Sequence, residues 1–146
     1  MAERCPARIL VVEDNDADVF LIEKALRDFD IPAEITLCED GEGAMRMLTS
    51  HGASAIPDAI ILDLALPRVE GVTVLQSILS RPALASVPVM ILTTSPSTAD
   101  RHRVELLGRV RYFQKPSGVD EFLRVVSEGV KEMLGAPPKP LSGALS

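Results

Sequence analysis

The hydrophobic residues of the chain fall into two kinds of segment that alternate along its length. Short, nearly continuous apolar runs rich in β-branched residues are typical of buried strands. Longer segments with apolar residues three and four positions apart are typical of helices with one buried face. The short runs predict strands at residues 7–13, 33–39, 58–63, 87–95 and 110–114. The longer segments predict helices at residues 16–29, 41–52, 71–81, 98–108 and 119–134.

This regular alternation of strand and helix predicts the fold class. Strands joined by helices form right-handed βαβ units, which build a parallel sheet covered by helices on both faces. We therefore expect an α/β domain over residues 1–134, with a doubly wound, five-stranded parallel sheet. Residues 135–146 contain three prolines and little apolar material, so they are predicted to form a Pro-rich C-terminal tail.

Composition argues against several classes of function. The net charge of −6 and the aromatic content of 3% disfavour nucleic-acid binding, because backbone phosphates attract a basic surface. No apolar run approaches the ~20 residues that span a bilayer. The N-terminus lacks the long apolar region and small-residue cleavage site of a signal peptide. We expect a cytoplasmic protein that binds neither nucleic acid nor membranes.

Chemically capable side chains stand where the predicted strands end. The apolar run 59–62 ends on Asp63, although a buried carboxylate without a partner is costly. In open parallel sheets, ligands bind beyond the carboxyl ends of the strands. The residues expected at this edge of the sheet are Glu13, Asp14, Asp63, Thr93, Thr94 and Lys115.

The carboxylates at this edge predict a metal site. Three neighbouring acids repel one another, and a hard divalent cation relieves the repulsion. Mg²⁺ prefers octahedral oxygen coordination, keeps several waters and takes one or two carboxylates. We expect Asp14 and Asp63 to bind Mg²⁺ directly together with the backbone carbonyl of Ala65, and Glu13 to act through a water.

The same edge has the residue types that phosphoryl transfer needs. A carboxylate oxygen of Asp63 can act as a nucleophile. Phosphoryl transfer depends on positioning and charge neutralisation, which Mg²⁺ and Lys115 would supply, with Thr93 as a hydroxyl donor. Each residue alone has an ordinary structural alternative: Glu13 could belong to a helix cap, Thr93 to a plain strand and Lys115 to a solvated loop. Their occurrence together at the strand ends favours a site.

Four motifs, taken in this order, resemble the response-regulator receiver domain, the phosphoacceptor module of two-component signalling. They are LVVEDN, ILDLALPRVEG, VMILTTS and YFQKP, and the resemblance spans roughly residues 7–134. The phrases EDNDADVFLIEKAL and ILTTS further resemble single-domain regulators that serve phytochrome-type sensor kinases. The resemblance implies a flavodoxin-like fold with strand order 2-1-3-4-5 and five helices.

The resemblance also implies a role for each matching residue. Asp63 accepts a phosphoryl group from a sensor histidine kinase, and Lys115 pairs with the phosphoryl oxygens. The bond between Lys115 and Pro116 is expected to be cis, which only X–Pro bonds adopt at modest cost. Thr93 bonds a phosphoryl oxygen, and Tyr112 then turns inward, so that the two residues form a switch biased by the new charge.

The expected function is therefore phosphorylation at Asp63 that switches a partner-binding surface, in a signalling protein and not an enzyme, with no attached output domain. The kinase partner is expected to resemble a phytochrome. Residues 101–146 contain eight basic and five acidic residues, so this part of the chain carries a net positive charge. A homodimer through the basic face from the fourth to the fifth helix is a further hypothesis.

Two alternatives remain open. One is a haloacid-dehalogenase-like phosphatase, although that class usually needs a second acid where this chain has Ala65. The other is a degenerate receiver that acts as a phosphorylation-independent binding module. The complete set of acids, threonine and lysine argues against this second alternative.

Overall fold

The computed structural model of the chain describes residues 6–50, 56–65, 71–94, 101–104 and 110–135. The strands are β1 (Ala7–Val12), β2 (Ala33–Cys38), β3 (Ala59–Leu62), β4 (Val89–Thr93) and β5 (Val110–Gln114). They form one sheet in the order β2-β1-β3-β4-β5, and every neighbouring pair is parallel. The predicted fold class and strand order are confirmed.

Helices connect the strands and cover both faces of the sheet. They are α1 (Asp16–Asp28), α2 (Gly41–Ser50), α3 (Gly71–Ser80), α4 (101–104) and α5 (Val119–Leu134), with a short 3₁₀ helix at Pro82–Leu84. The predicted fourth helix, 98–108, and the tail from residue 136 onward lie largely or wholly outside the described residues. None of the helices in the described parts has the length and apolar character that a bilayer crossing needs.

The core has two layers, one on each side of the sheet, because successive strand residues point to opposite faces. Leu10 and Val12 of β1 lie in the cluster that contains side chains of α2, α3 and α4. Ile9 and Val11 lie in the other cluster, which contains side chains of α1 and α5. These four residues of β1 are at most 2% exposed, as expected for a parallel sheet covered on both faces.

Backbone hydrogen bonds that continue past the strand ends bring the functional edge together. The Glu13 N–H donates to the Cys38 carbonyl over 2.9 Å, and the Asp63 N–H donates to the Val12 carbonyl over 3.0 Å. At the other side of the sheet, the Lys115 N–H donates to the Thr93 carbonyl over 2.8 Å. Each bond extends the ladder by one residue, so the first polar residue after each of three strands stays in register with its neighbours.

Candidate functional site

The ammonium group of Lys115 is the centre of the site. Its Nζ lies 2.9 Å from Oε1 of Glu13 and 3.1 Å from Oδ2 of Asp63. All three side chains are at least nine-tenths buried. The structure therefore brings together the acid after β1, the acid after β3 and the lysine after β5, as expected from the strand ends.

Both carboxylate oxygens of Asp63 have hydrogen-bond donors. Oδ2 accepts from Lys115, and Oδ1 accepts from the Ala65 N–H over 2.9 Å. The second bond spans two residues in the turn that follows β3, so it fixes the carboxylate relative to its own backbone. Asp63 is thus buried and held in one orientation at the edge of the sheet.

Asp14 completes a group of three acids. One carboxylate oxygen from each of Glu13, Asp14 and Asp63 lies within 4.8 Å of the others, with Asp14 exposed and the other two buried. These are hard oxygen donors, and the exposed position of Asp14 leaves one side of the group open to water. The donor set fits Mg²⁺, which keeps several waters when it binds a protein.

Burial makes Glu13 an unusual acid. Burial, together with the negative charge of Asp63, raises its pKa to about 7, although hydrogen bonds from the Lys115 ammonium and the Asn15 N–H partly offset this. Burial alone would lower the pKa of Lys115. This effect of burial is outweighed by the hydrogen bonds to Asp18 and Glu13 and by the negative charge of Asp63. The pKa of Lys115 is therefore held above its usual value. Lys115 is therefore a permanent cation of the site.

The raised pKa of Glu13 predicts a pH dependence of stability in the metal-free protein. The folded state holds a proton on Glu13 that the unfolded state releases at lower pH, so this contribution is complete below about pH 4.5 and is lost as pH rises through about 7. Between these values, we expect the free energy of unfolding to fall more steeply with pH in the wild type than in Glu13→Gln. Denaturant melts across the range measure this difference, and parallel profiles of the two proteins would contradict it.

Asp18 is a member of the site that the sequence pattern did not reveal. Its Oδ2 lies 2.6 Å from Lys115 Nζ, and its side chain is mostly buried. The sequence alone explains Asp18 as one of the acids in the first turn of α1, where a negative charge is favourable for the helix dipole. The one signal was its place on the first turn after Glu13 and Asp14, which brings it near the same edge.

Thr93 and Tyr112 lie where the strand pattern placed them. Thr93 is the last residue of β4, is fully buried and accepts the backbone bond from Lys115. Tyr112 is half-buried in β5, and the guanidinium carbon of Arg101 lies 5.2 Å from the centroid of its ring. Their roles in a switch remain predictions.

The prediction of a cis bond between Lys115 and Pro116 is wrong for this structure. The described residues contain no cis peptide bond, so this bond is trans. Trans is the intrinsically preferred form of an X–Pro bond by about 0.5–1 kcal/mol. Lys115 reaches its three carboxylate partners with the bond in that form.

Comparisons with known proteins find a matching family and similar regulatory proteins. Residues 9–127 match the family described as "Response regulator receiver domain". The chain is 36% identical over 132 residues to "Probable methanogenesis regulatory protein FilR2" of Methanothrix harundinacea (strain 6Ac), a match that covers 89% of this chain and 85% of that one.

Two solved structures are also similar. The phosphorylated cyanobacterial phytochrome response regulator RcpA aligns with a TM-score of 0.80 at 34% identity, over 92% of this chain and 100% of that one. The Mn²⁺-bound form of response regulator Rcp1 aligns with a TM-score of 0.81 at 32% identity, over 93% of this chain and 100% of that one.

The family match covers most of the chain and includes the strand ends that position the acids and Lys115. Receivers are a family of signalling proteins and not of enzymes, so the phosphatase alternative is not retained. Sequence motifs, sheet order, the acidic group and the relatives all agree: the chain belongs to the response regulator receiver domain family, whose members are phosphorylated by histidine kinases in two-component signalling.

Proposed function

We propose that Asp63 is the phosphoacceptor of this receiver and that the reaction depends on Mg²⁺. The observation that carries the proposal is the carboxylate of Asp63 held between the Lys115 ammonium and the Ala65 N–H, beside Glu13 and Asp14. In such a transfer, an oxygen of Asp63 forms a bond to phosphorus while the bond from phosphorus to the nitrogen of the kinase histidine breaks. The histidine keeps the electron pair of that bond.

The residues of the chain prepare this step by position and charge. The Ala65 N–H and the Lys115 ammonium hold the two oxygens of Asp63, so little reorganisation is needed at the moment of transfer. Lys115 also stabilises negative charge as the phosphoryl group arrives. The meeting of the acids and the lysine argues against a degenerate receiver that acts only as a phosphorylation-independent binding module.

For the metal, we propose Asp14, Asp63 and the Ala65 carbonyl as direct ligands and Glu13 as a ligand through water. Bound Mg²⁺ would neutralise the charge of the phosphoryl oxygens. The acidic group supports this assignment because its oxygens lie within 4.8 Å of one another and one acid faces solvent. The related Rcp1 has been solved with Mn²⁺, a divalent ion that shares the preference for oxygen ligands.

For the switch, we propose that Thr93 bonds a phosphoryl oxygen and that Tyr112 follows it inward. Thr93 is directly linked to Lys115 through the backbone bond at the end of β4. Tyr112 is only half-buried under Arg101, so a change from this position to a buried one would alter the surface of β5. Such a change would give a partner a surface that reports phosphorylation.

A phytochrome-type sensor kinase is the proposed source of the phosphoryl group, because RcpA is a phytochrome response regulator.

We further propose residues 1–134 as the receiver domain and 135–146 as its tail, and a homodimer through the face from α4 to α5. Light scattering with and without beryllofluoride, a phosphoryl mimic, tests the dimer. A monomer under both conditions contradicts it.

A labelling experiment tests the proposed function. With a small phosphodonor such as acetyl phosphate and Mg²⁺, the chain is expected to gain a single phosphoryl group, measured by intact mass spectrometry. Removal of Mg²⁺ with a chelator is expected to stop the reaction, because the acids then repel the incoming anion. Equal labelling with and without Mg²⁺ would contradict a metal-dependent mechanism, and the absence of labelling would contradict the acceptor role.

A further inference from the structure

The Lys115 ammonium is shared unequally among three carboxylates. Its distance to Asp18 is 2.6 Å, its distance to Glu13 is 2.9 Å, and its distance to Asp63 is 3.1 Å. An ammonium has three N–H donors, and three acceptors surround this one. The closest partner is therefore the acid on α1, and the most distant is the proposed phosphoacceptor.

Capping of α1 does not explain the position of the Asp18 carboxylate. The N-cap residue, Asn15, accepts a hydrogen bond on Oδ1 from the Asp18 N–H over 3.1 Å. In a capping box, the acid at the third helical position would in turn accept from the N-cap N–H. Here Glu13 accepts that bond from Asn15 over 3.1 Å, so the Asp18 carboxylate is turned toward Lys115 instead.

We propose that Asp18 is a positioning residue that restrains Lys115 in the unphosphorylated protein and competes with the phosphoryl group for its ammonium. A phosphoryl oxygen on Asp63 needs one of the three N–H donors of Lys115. Asp18 is the partner to give one up, because Glu13 and Asp63 belong to the acidic group proposed to hold Mg²⁺ and Asp18 does not. The proposal rests on the acceptor role of Asp63 proposed above.

The isosteric variant Asp18→Asn is the test. It keeps a hydrogen-bond acceptor near Lys115 but removes the charge. With saturating Mg²⁺, we expect labelling by acetyl phosphate to become roughly three- to tenfold faster, the effect of exchanging a charge-assisted hydrogen bond for a neutral one. The affinity for beryllofluoride should rise by a similar factor. A slower or unchanged rate would overturn the proposal.

Two controls separate this role from a general effect of charge or folding. Asp16→Asn removes the same charge from the same turn of α1, at an exposed position, and should change the rate less than Asp18→Asn does. In a Lys115→Met background, Asp18→Asn should lose its effect, because two residues that act through one contact are not additive. An equal effect with and without Lys115 would show that Asp18 acts by another route.

A measurement without metal completes the test. In the metal-free protein, the NMR signal of the Lys115 ammonium should shift or exchange faster with water in Asp18→Asn, and should stay unchanged in Asp16→Asn.

If the wild type is labelled on Asp63 but Asp18→Asn behaves like the wild type, only the role of Asp18 is wrong. If the wild type is not labelled, the acceptor assignment itself has failed.

Discussion

Replacing Asp63 with asparagine is expected to abolish incorporation of a phosphoryl group from a histidine kinase or from a small phosphodonor. The amide lacks the negative oxygen that forms the new bond to phosphorus. Asparagine has nearly the same shape as aspartate, so its oxygen can still accept from the Ala65 N–H or from Lys115. The variant should therefore fold, which circular dichroism checks, while intact mass spectrometry shows no added phosphoryl group.

Two matched variants serve as controls for Asp63→Asn. Asp58→Asn makes the same change just before the opposite end of β3, where the exposed Asp58 accepts from the Arg8 N–H over 2.8 Å, and it should leave labelling intact. Asp14→Asn should weaken Mg²⁺ binding but keep the acceptor, so labelling should return at higher Mg²⁺ concentration. A phosphoryl group that persists in Asp63→Asn would mean that another residue accepts it.

The strand ends could be predicted from sequence because each is marked by a change from apolar to polar residues. In β3, four buried residues are followed directly by Asp63, and the parallel register then fixes which other strand ends stand beside it. Glu13 and Lys115 likewise follow β1 and β5 directly. Residues that belong to the site through backbone register are therefore accessible to sequence reasoning.

The contact between Asp18 and Lys115 could not be predicted in this way. It depends on the rotation of α1 about its axis and on the path of a long lysine side chain, and neither leaves a pattern in the sequence. Local chemistry also gave a competing explanation, because acids are favourable in the first turn of any helix. The isomer of the Lys115–Pro116 bond could not be predicted from the sequence either, since an X–Pro bond can adopt both the cis and the trans form at small cost.

Gly71→Ala is expected to cause a larger loss of stability than the same change at Gly43, Gly118 or Gly129. Gly71 is the buried first residue of α3, and its N–H donates to the Leu64 carbonyl over 3.2 Å. A Cβ at this position would lie 2.3 Å from the Leu64 Cα and 2.8 Å from the Asp63 carbonyl oxygen. These are backbone atoms, which cannot rotate away as the end of a side chain can.

We expect this overpacking to lower the free energy of unfolding by about 1–3 kcal/mol or more. Denaturant melts give the value. Gly118→Ala is the matched control: a Cβ there meets no atom within 4 Å, so its cost should stay below about 1 kcal/mol. Gly129→Ala should be milder than Gly71→Ala, because its close contacts are with the flexible end of the Met90 side chain.

The Gly71 variant should also lose Mg²⁺ affinity at temperatures where it remains folded. The backbone that has to move to admit the methyl group belongs to Asp63 and Leu64, and the Ala65 N–H that orients the Asp63 carboxylate follows immediately. Calorimetric titration with Mg²⁺ measures this second effect. A destabilised variant with wild-type affinity would mean that α3 shifts as a unit and leaves the turn after β3 in place. Reduced affinity would show that the close approach of α3 sets the geometry of the acceptor.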